Sequence, residues 1–197
     1  GVTRFWAANA IAFENPDGER VVFVTNPWAE PRRLTIGDGP ARISVTLDAR
    51  SFNTLVWTGK EMIVWGGSNG GTRYNTGASY DPGNDSWSAI YTHSALAARE
   101  FHTAAWTGSK MIIWGGSDSS YMNTGGIYNQ DNDSWVATSL VNAPLSRFGH
   151  LAIWTGSKRI VWGGSVEGGV TNTGGIYDPA SNLWTLTSTT NAPIART

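Results

Sequence analysis

Residues 106–116 read Trp106-Thr-Gly-Ser-Lys-Met-Ile-Ile-Trp114-Gly115-Gly116. The stretch occurs upstream as Trp57-Thr-Gly-Lys-Glu-Met-Ile-Val-Trp65-Gly66-Gly67 and downstream as Trp154-Thr-Gly-Ser-Lys-Arg-Ile-Val-Trp162-Gly163-Gly164. Each copy is followed by Asn-Thr-Gly (from Asn75, Asn123 and Asn172), a Tyr (Tyr80, Tyr128, Tyr177), a third Trp (Trp87, Trp135, Trp184) and an Arg (Arg99, Arg147, Arg196). The first Trp precedes the Trp of Trp-Gly-Gly by eight residues in all three copies, Asn-Thr-Gly precedes the third Trp by twelve, and that Trp precedes the Arg by twelve. A period of 48 or 49 residues held this tightly marks one supersecondary unit, copied so that neighbours share a core.

Each unit reads as a four-stranded antiparallel meander. In the second copy the strands are expected at His102 to Trp106, Met111 to Trp114, Gly125 to Asn129 and Ser134 to Ser139. Thr107-Gly-Ser-Lys110 is a tight hairpin in which Gly supplies positive φ. Gly115-Gly116 removes side chains where a neighbouring backbone comes close. Asp131-Asn-Asp133 caps the next turn through side-chain bonds to backbone. The three Trp of each copy alternate with aliphatic residues, so they are expected between adjacent units, burying about 150–250 Å² each, rather than as sugar-stacking platforms. Trp6 and Trp28 lie outside the repeats, where stacking on a sugar stays open.

Composition narrows the function. The formal net charge is −1 with 15% charged residues and no basic stripe, which argues against nucleic acid and anionic membranes as partners. No apolar run is long enough to span a bilayer. Cysteine is absent, so no disulfide framework exists to report a compartment. The chain starts at Gly1 and stops at Thr197, where a fourth repeat would begin, which reads as a piece of a longer protein.

Residues 1–48 differ from the rest. Ala8 to Glu14, Arg20 to Thr25, Arg33 to Gly37 and Arg42 to Leu47 read as four short strands, with Asn15-Pro-Asp-Gly18 as a hairpin turn and breaks at Asn26-Pro27 and Gly39-Pro40. They suggest part of a β-sandwich. Ala12-Phe-Glu-Asn-Pro-Asp-Gly18, Val21-Val-Phe-Val-Thr-Asn-Pro27 and Val45 to Trp57 resemble the C-terminal β-sandwich of glycoside hydrolase family 30, the glucosylceramidase-like enzymes. In that family the catalytic glutamates sit on a (β/α)8 barrel, so Glu14, Glu19 and Glu30 inherit no catalytic role.

From Ala49 onward, the paired Gly after a hydrophobic strand, then Tyr, then Trp at fixed offset, resemble bacterial kelch-repeat proteins. The resemblance implies a β-propeller of four-stranded blades. The expected fold is therefore all-β, with three kelch-type blades in an open arc (50–98, 99–146 and 147–196) preceded by a partial antiparallel β-sandwich (1–48). Both resemblances share Ala49-Arg-Ser-Phe-Asn-Thr-Leu-Val-Trp57, which aligns with Ala98 to Trp106. The junction is either a true fusion that uses this strand as a hinge, or two unrelated genes joined in one frame.

Topology directs the functional reading. The loops joining strands two and three (Ser68 to Tyr74, Ser117 to Met122, Ser165 to Thr171) and the segments entering the next unit open on one face. The first set is the least similar part of the repeat; the second carries Arg50, Arg99, Arg147 and Arg196, with His102 and His150 three residues after two of them. A rigid scaffold with one variable face suits binding. A protein or glycan partner is expected there, and the resemblance places the kelch Arg at the mouth of the central channel. Charge reversal of Arg99 and Arg147 is then expected to abolish binding without unfolding. The alternative is that these Arg bond carbonyls of neighbouring blades.

No catalytic, cofactor-binding or metal-binding residue is assigned. Some kelch propellers are copper radical oxidases that require a Cys-crosslinked Tyr, which a chain without Cys cannot form. Three His in all, two of them in equivalent slots, argue against a zinc site or a Ser-His-Asp triad. Ser79-Tyr-Asp81-Pro-Gly83 falls short of a sialidase aspartate box, because Trp87 comes one residue late. The expected function is a non-catalytic protein- or glycan-interaction module; the alternative is an accessory part of a secreted family 30 hydrolase whose barrel lies upstream. The resemblances favour an extracellular or cell-surface location. Three blades leave apolar inter-blade faces uncovered, so self-association or further repeats are expected.

Overall fold

The computed structural model describes the backbone of residues 9–14, 20–26, 32–38, 41–47 and 51–197, and side chains from residue 54 onward. These residues form strands and turns with no helix. The turn at 15–18 and the expectations attached to Trp6, Trp28, Glu19, Glu30, Arg50 and the Glu14 side chain lie outside the described residues.

The repeats fold as three antiparallel blades. The first contains β5 (Ser51–Trp57), β6 (Met62–Asn69), a short β7 (Thr72–Arg73), β8 (Gly77–Asp81) and β9 (Ser86–Ala89). The second is β10 (Thr103–Trp106), β11 (Lys110–Trp114), β12 (Gly125–Asn129) and β13 (Ser134–Ala137), paired in that order. The third is β14 (Leu151–Trp154), β15 (Arg159–Trp162), β18 (Gly174–Asp178) and β19 (Leu183–Leu186), with a small hairpin of β16 (Ser165–Val166) and β17 (Gly169–Val170) in its strand-two-to-three loop. The registers repeat. Tyr128 sits opposite Met111 and Trp135, and Tyr177 opposite Arg159 and Trp184.

Upstream lie β1 (Asn9–Glu14), β2 (Arg20–Asn26), β3 (Arg32–Asp38) and β4 (Ala41–Leu47), within a residue or so of the expected bounds. β3 and β4 form their own hairpin. β1 and β2 do not stand apart from the repeats. β2 pairs along β5, whose other edge pairs with β6, so one sheet runs β1-β2-β5-β6-β8-β9. The strand shared by the two resemblances is thus hydrogen-bonded on one edge to the upstream hairpin and on the other to the first blade.

The core lies between blades. Both faces of a blade are apolar, so strands such as Met111-Ile-Ile-Trp114 bury alternate residues on opposite sides. Val56, Ile63 and Trp65 of blade 1 pack against Ala104, Trp106, Met111, Ile113, Tyr128 and Trp135 of blade 2. Ala105, Ile112 and Trp114 of blade 2 pack in turn against Trp154, Val161, Tyr177 and Trp184 of blade 3. Trp135 lies 5.2 Å from Trp65 and Trp184 lies 5.1 Å from Trp114, in tilted pairs. Six repeat Trp are buried, in keeping with the packing expected for them.

The hairpin and the glycine pair behave as their chemistry requires. Gly108 has φ +90°, and the Thr107 N–H donates to the Lys110 carbonyl at 2.9 Å. A Cβ on Gly115 would stand 2.5 Å from Cε1 of His150, and one on Gly116 would stand 2.6 Å from the Glu100 carbonyl oxygen. Gly is therefore required where the segment entering the next blade crosses β11.

Candidate functional site: the loop face

The strand-two-to-three loops and the segments entering each next blade do meet on one face. The Gly116 N–H donates to the Arg147 carbonyl at 2.9 Å, the Arg147 N–H to the Met122 carbonyl at 3.0 Å, and Phe148 bridges Ser165. Antiparallel parity alone brings these segments together, because each strand reverses direction.

Within this face the arginines are staples. Arg99 is held by blade 1 through its backbone, its N–H donating to Tyr74 (3.2 Å) and its carbonyl accepting from Gly67 (2.8 Å). Its guanidinium reaches blade 2, donating through Nη1 to the Gly115 (3.1 Å) and Thr124 (2.9 Å) carbonyls and through Nη2 to Thr124 Oγ1 (3.0 Å). Arg147 repeats this from blade 2 to blade 3, with Nη1 on the Gly163 (3.0 Å) and Thr173 (2.7 Å) carbonyls and Nη2 on Thr173 Oγ1 (3.0 Å). Both side chains are buried, and burial pushes each guanidinium down to about 10. Arg196 begins the same pattern. Its carbonyl accepts from Gly164 and its Nε donates to Ile194, but its side chain is exposed.

His102 and His150 are buried beneath the face. His102 lies edge-on to Trp65 at 5.5 Å, and His150 edge-on to Trp114 at 5.2 Å. Burial, with Arg99 and Arg159 nearby, pushes the His102 imidazole down to about 3. His150 is also held well below its ordinary range, first by burial and then by Arg159, Arg147 and His102. The partner-contact role expected for Arg99, His102, Arg147 and His150 therefore needs correction: buried side chains committed to the fold offer nothing to a ligand. Charge reversal at Arg99 or Arg147 is expected to unfold the protein. Of the six residues expected to contact a partner, Arg196 alone is described as exposed, and Arg50 lies outside the described residues.

Sequence reasoning passed over Arg159. It stands where Met62 and Met111 stand in the other copies and is fully buried between blades 2 and 3. Its guanidinium donates to the Ile112 carbonyl and to the carbonyl and hydroxyl of Thr103, all neutral oxygens, and burial pushes it down to about 9. The signal was a single charge where two copies carry Met. Methionine already fills the equivalent slot at the other interface, so Arg159→Met is expected to raise stability by about 1 kcal/mol, because an apolar chain of similar volume refills the slot, as truncation to Ala would not, and replaces the most strongly desolvated of the buried guanidinium groups. A drop in the urea midpoint would show that the Arg acts as a net staple.

The solvent side of the face carries different residues. Phe148 packs 4.8 Å from Tyr121 and 5.7 Å from Phe101, and Tyr121 and Tyr74 are exposed. Arg73 Nε donates to Glu100 Oε1 at 2.9 Å, Ser68 donates to the other Glu100 oxygen, and Asp118 lies 3.9 Å from Arg73 Nη1. Phe101 has φ +56°, at the position where the next copy has Gly149 at +62°. A bulky residue in the left-handed region costs about 1–3 kcal/mol and is usually retained for function. Most of these residues lie in the unlike parts of the repeats, which the sequence marks as a variable face without distinguishing individual side chains, although Phe101 recurs as Phe52 and Ser68 as Ser117 and Ser165. Among the described residues no group of three or more His, Asp or Glu side chains gathers as a metal site would require.

A family model for the glycosyl hydrolase family 30 beta sandwich domain matches residues 7–55, and one described as the KLHDC2/KLHL20/DRC7 Kelch-repeats domain matches residues 52–197. The two matches overlap inside β5, the strand paired on both edges. No curated protein matches the chain. The second match covers well over half of the sequence, and the blades, their Gly-Gly crossings and the Trp-lined interfaces have the architecture it names: the chain belongs to the kelch-repeat family.

Proposed function

We propose that this chain is a non-catalytic interaction module that takes a protein or glycan partner on its loop face. The observation that supports this is the aromatic group of Phe101, Tyr121 and Phe148, flanked by the Arg73, Glu100 and Asp118 charges, on the loops that differ between copies. Aromatic rings supply contact area at low entropic cost, and the ion-paired groups present fixed donors and acceptors at the rim. In this reading the buried Arg99, Arg147, His102 and His150 hold the platform rigid rather than touch the ligand.

The family 30 sandwich match over 7–55, joined to blade 1 through β2 and β5, supports a second reading as the accessory part of a glycoside hydrolase. Binding of the whole chain to an array of neutral and acidic oligosaccharides, and to a displayed peptide library, tests both. Peptide ligands favour the interaction module over the hydrolase-accessory reading, whereas oligosaccharide ligands fit either and favour the accessory reading only where they are retained by a variant of the loop-face aromatics. For the interaction module, Tyr121→Ala with Phe148→Ala is expected to weaken binding at least about tenfold with an unchanged melting temperature. A ligand held equally well by that variant would place binding elsewhere.

A further inference from the structure

The face opposite the loops carries the strand-one-to-two hairpins, and the two joints between blades differ there. At the joint of blades 1 and 2, Glu61 Oε2 accepts from Gln130 Nε2 at 2.6 Å and ties the blades together. The equivalent residues at the joint of blades 2 and 3 are Lys110 and Pro179, which cannot form that bond. A cavity of about 280 Å³ opens in its place, between the hairpin of blade 2 and the first strand and outer turn of blade 3.

The lining divides by chemistry. Ile112 and Trp154 belong to the buried core between these blades, Ile127 packs against that core, and Pro179 adds an apolar ring from blade 3. The polar groups are the hydroxyls of Thr107 and Ser157 and the ammonium of exposed Lys110; no carboxylate and no side-chain amide lines the cavity.

Lys110 lacks the partner that its equivalents have. Glu61 holds Gln130 across the first joint, and Lys158 Nζ donates to Asp178 Oδ2 at 2.9 Å within blade 3. The residue opposite Lys110 in the sheet is Asn129, which is neutral, and among the described residues no carboxylate pairs with the Lys110 ammonium. A cation thus stands beside a small apolar hollow that the neighbouring joint does not have.

We propose that this hollow binds a small carboxylate carried on an apolar ring, of about the size of benzoate. The ring lies against Trp154, Ile127 and Pro179, and the carboxylate accepts from Lys110 and a rim hydroxyl. A sugar would bring many hydroxyl donors to a lining with no carboxylate or amide to accept them, and a bare anion would leave the apolar surface wet. The volume lies just below the range of about 300–1,000 Å³ usual for small-molecule sites, so it suits a single ring. The site is distinct from the loop face and does not rest on the function proposed for that face.

Titration of benzoate into the whole chain, followed by saturation-transfer NMR, tests this, with benzamide as the uncharged isostere. Benzoate is expected to saturate with a Kd of about 1 mM, in keeping with its few atoms. Benzamide, and benzoate with Lys110→Gln, are expected to bind at least about tenfold more weakly, because the charge-assisted hydrogen bond is lost. Lys110→Glu with Pro179→Gln rebuilds the pair that ties the first joint and is expected to abolish binding, whereas Tyr121→Ala with Phe148→Ala leaves it unchanged. No saturation by about 20 mM benzoate overturns the proposal. So does a Lys110→Gln protein that binds benzoate as wild type does, benzamide bound as tightly as benzoate, or binding lost in the loop-face variant.

Discussion

Arg147→Ala is expected to lower the free energy of unfolding by about 3–5 kcal/mol, read from urea denaturation followed by tryptophan fluorescence. The guanidinium donates to Leu145, Gly163 and Thr173, and its removal leaves carbonyls of blade 3 buried without donors at the joint with blade 2. Hydrogen bonds to a charged group contribute about 1.5–3 kcal/mol each, and an orphaned buried acceptor adds its desolvation cost. Arg147→Lys should recover little, since one ammonium cannot span the Gly163 carbonyl and both oxygens of Thr173. Arg196→Ala is the internal control. The same residue type at the same repeat position, but exposed, should change stability by less than about 0.5 kcal/mol in the monomer. Equal effects at the two positions would remove the staple from the account of the fold.

Acid is expected to destabilise the protein well above the range in which carboxylates titrate. The folded imidazoles of His102 and His150 sit below their ordinary range, His102 at about 3, so the unfolded chain takes up protons first as pH falls. Stability from these groups is complete above about 6.5 and is lost as pH falls from there toward their folded-state values, about 3 for His102, at about 1.4 kcal/mol per pH unit for each. Burial sets the sign for both rings, and neighbouring cations add to it. Arg99 and Arg159 face His102, and Arg159, Arg147 and His102 face His150, with no anion among them. Thr103 Oγ1 accepts from Arg159 and lies 2.7 Å from His150 Nε2, an arrangement that suits a hydroxyl donating to a neutral ring. Urea midpoints between pH 7 and 5 should fall steadily, and His102→Gln should remove about half of the slope. A flat profile over that interval would mean that the rings charge without leaving the fold. Arg159→Met should shallow the slope as well, because it removes a cation from both histidines.

The repeat made much of the fold legible. Eight residues between Trp and Trp-Gly-Gly require a hairpin of two short strands, and the Gly pair marks the crossing where His102 or His150 lies against the blade. The upstream strands were equally plain from alternation and Pro-Gly punctuation. Their destination was not. Nothing local in Arg20–Asn26 states that it pairs with Ser51–Trp57 rather than only within its own sandwich. Strand pairing is a nonlocal choice, and a half-apolar strand fits several partners.

The candidate site divides in the same way. Sequence placed Arg99, Arg147, His102 and His150 on the correct face, because strand parity determines which loops gather there. It could not place them in depth. Whether an arginine points to solvent or into the next blade depends on a carbonyl and a threonine some 25 residues away, brought within 3 Å only when the blades stack. The exposed aromatics escaped notice for the converse reason, since Tyr121 and Phe148 come from segments that the repeat does not conserve and touch only once the chain has folded. Period, strand count, hairpin chemistry and the lack of cysteine were thus determined by sequence alone, being properties of neighbours along the chain. Burial of the arginines and histidines, Arg159 among them, was decided by tertiary structure, because it depends on what a neighbouring blade places against each.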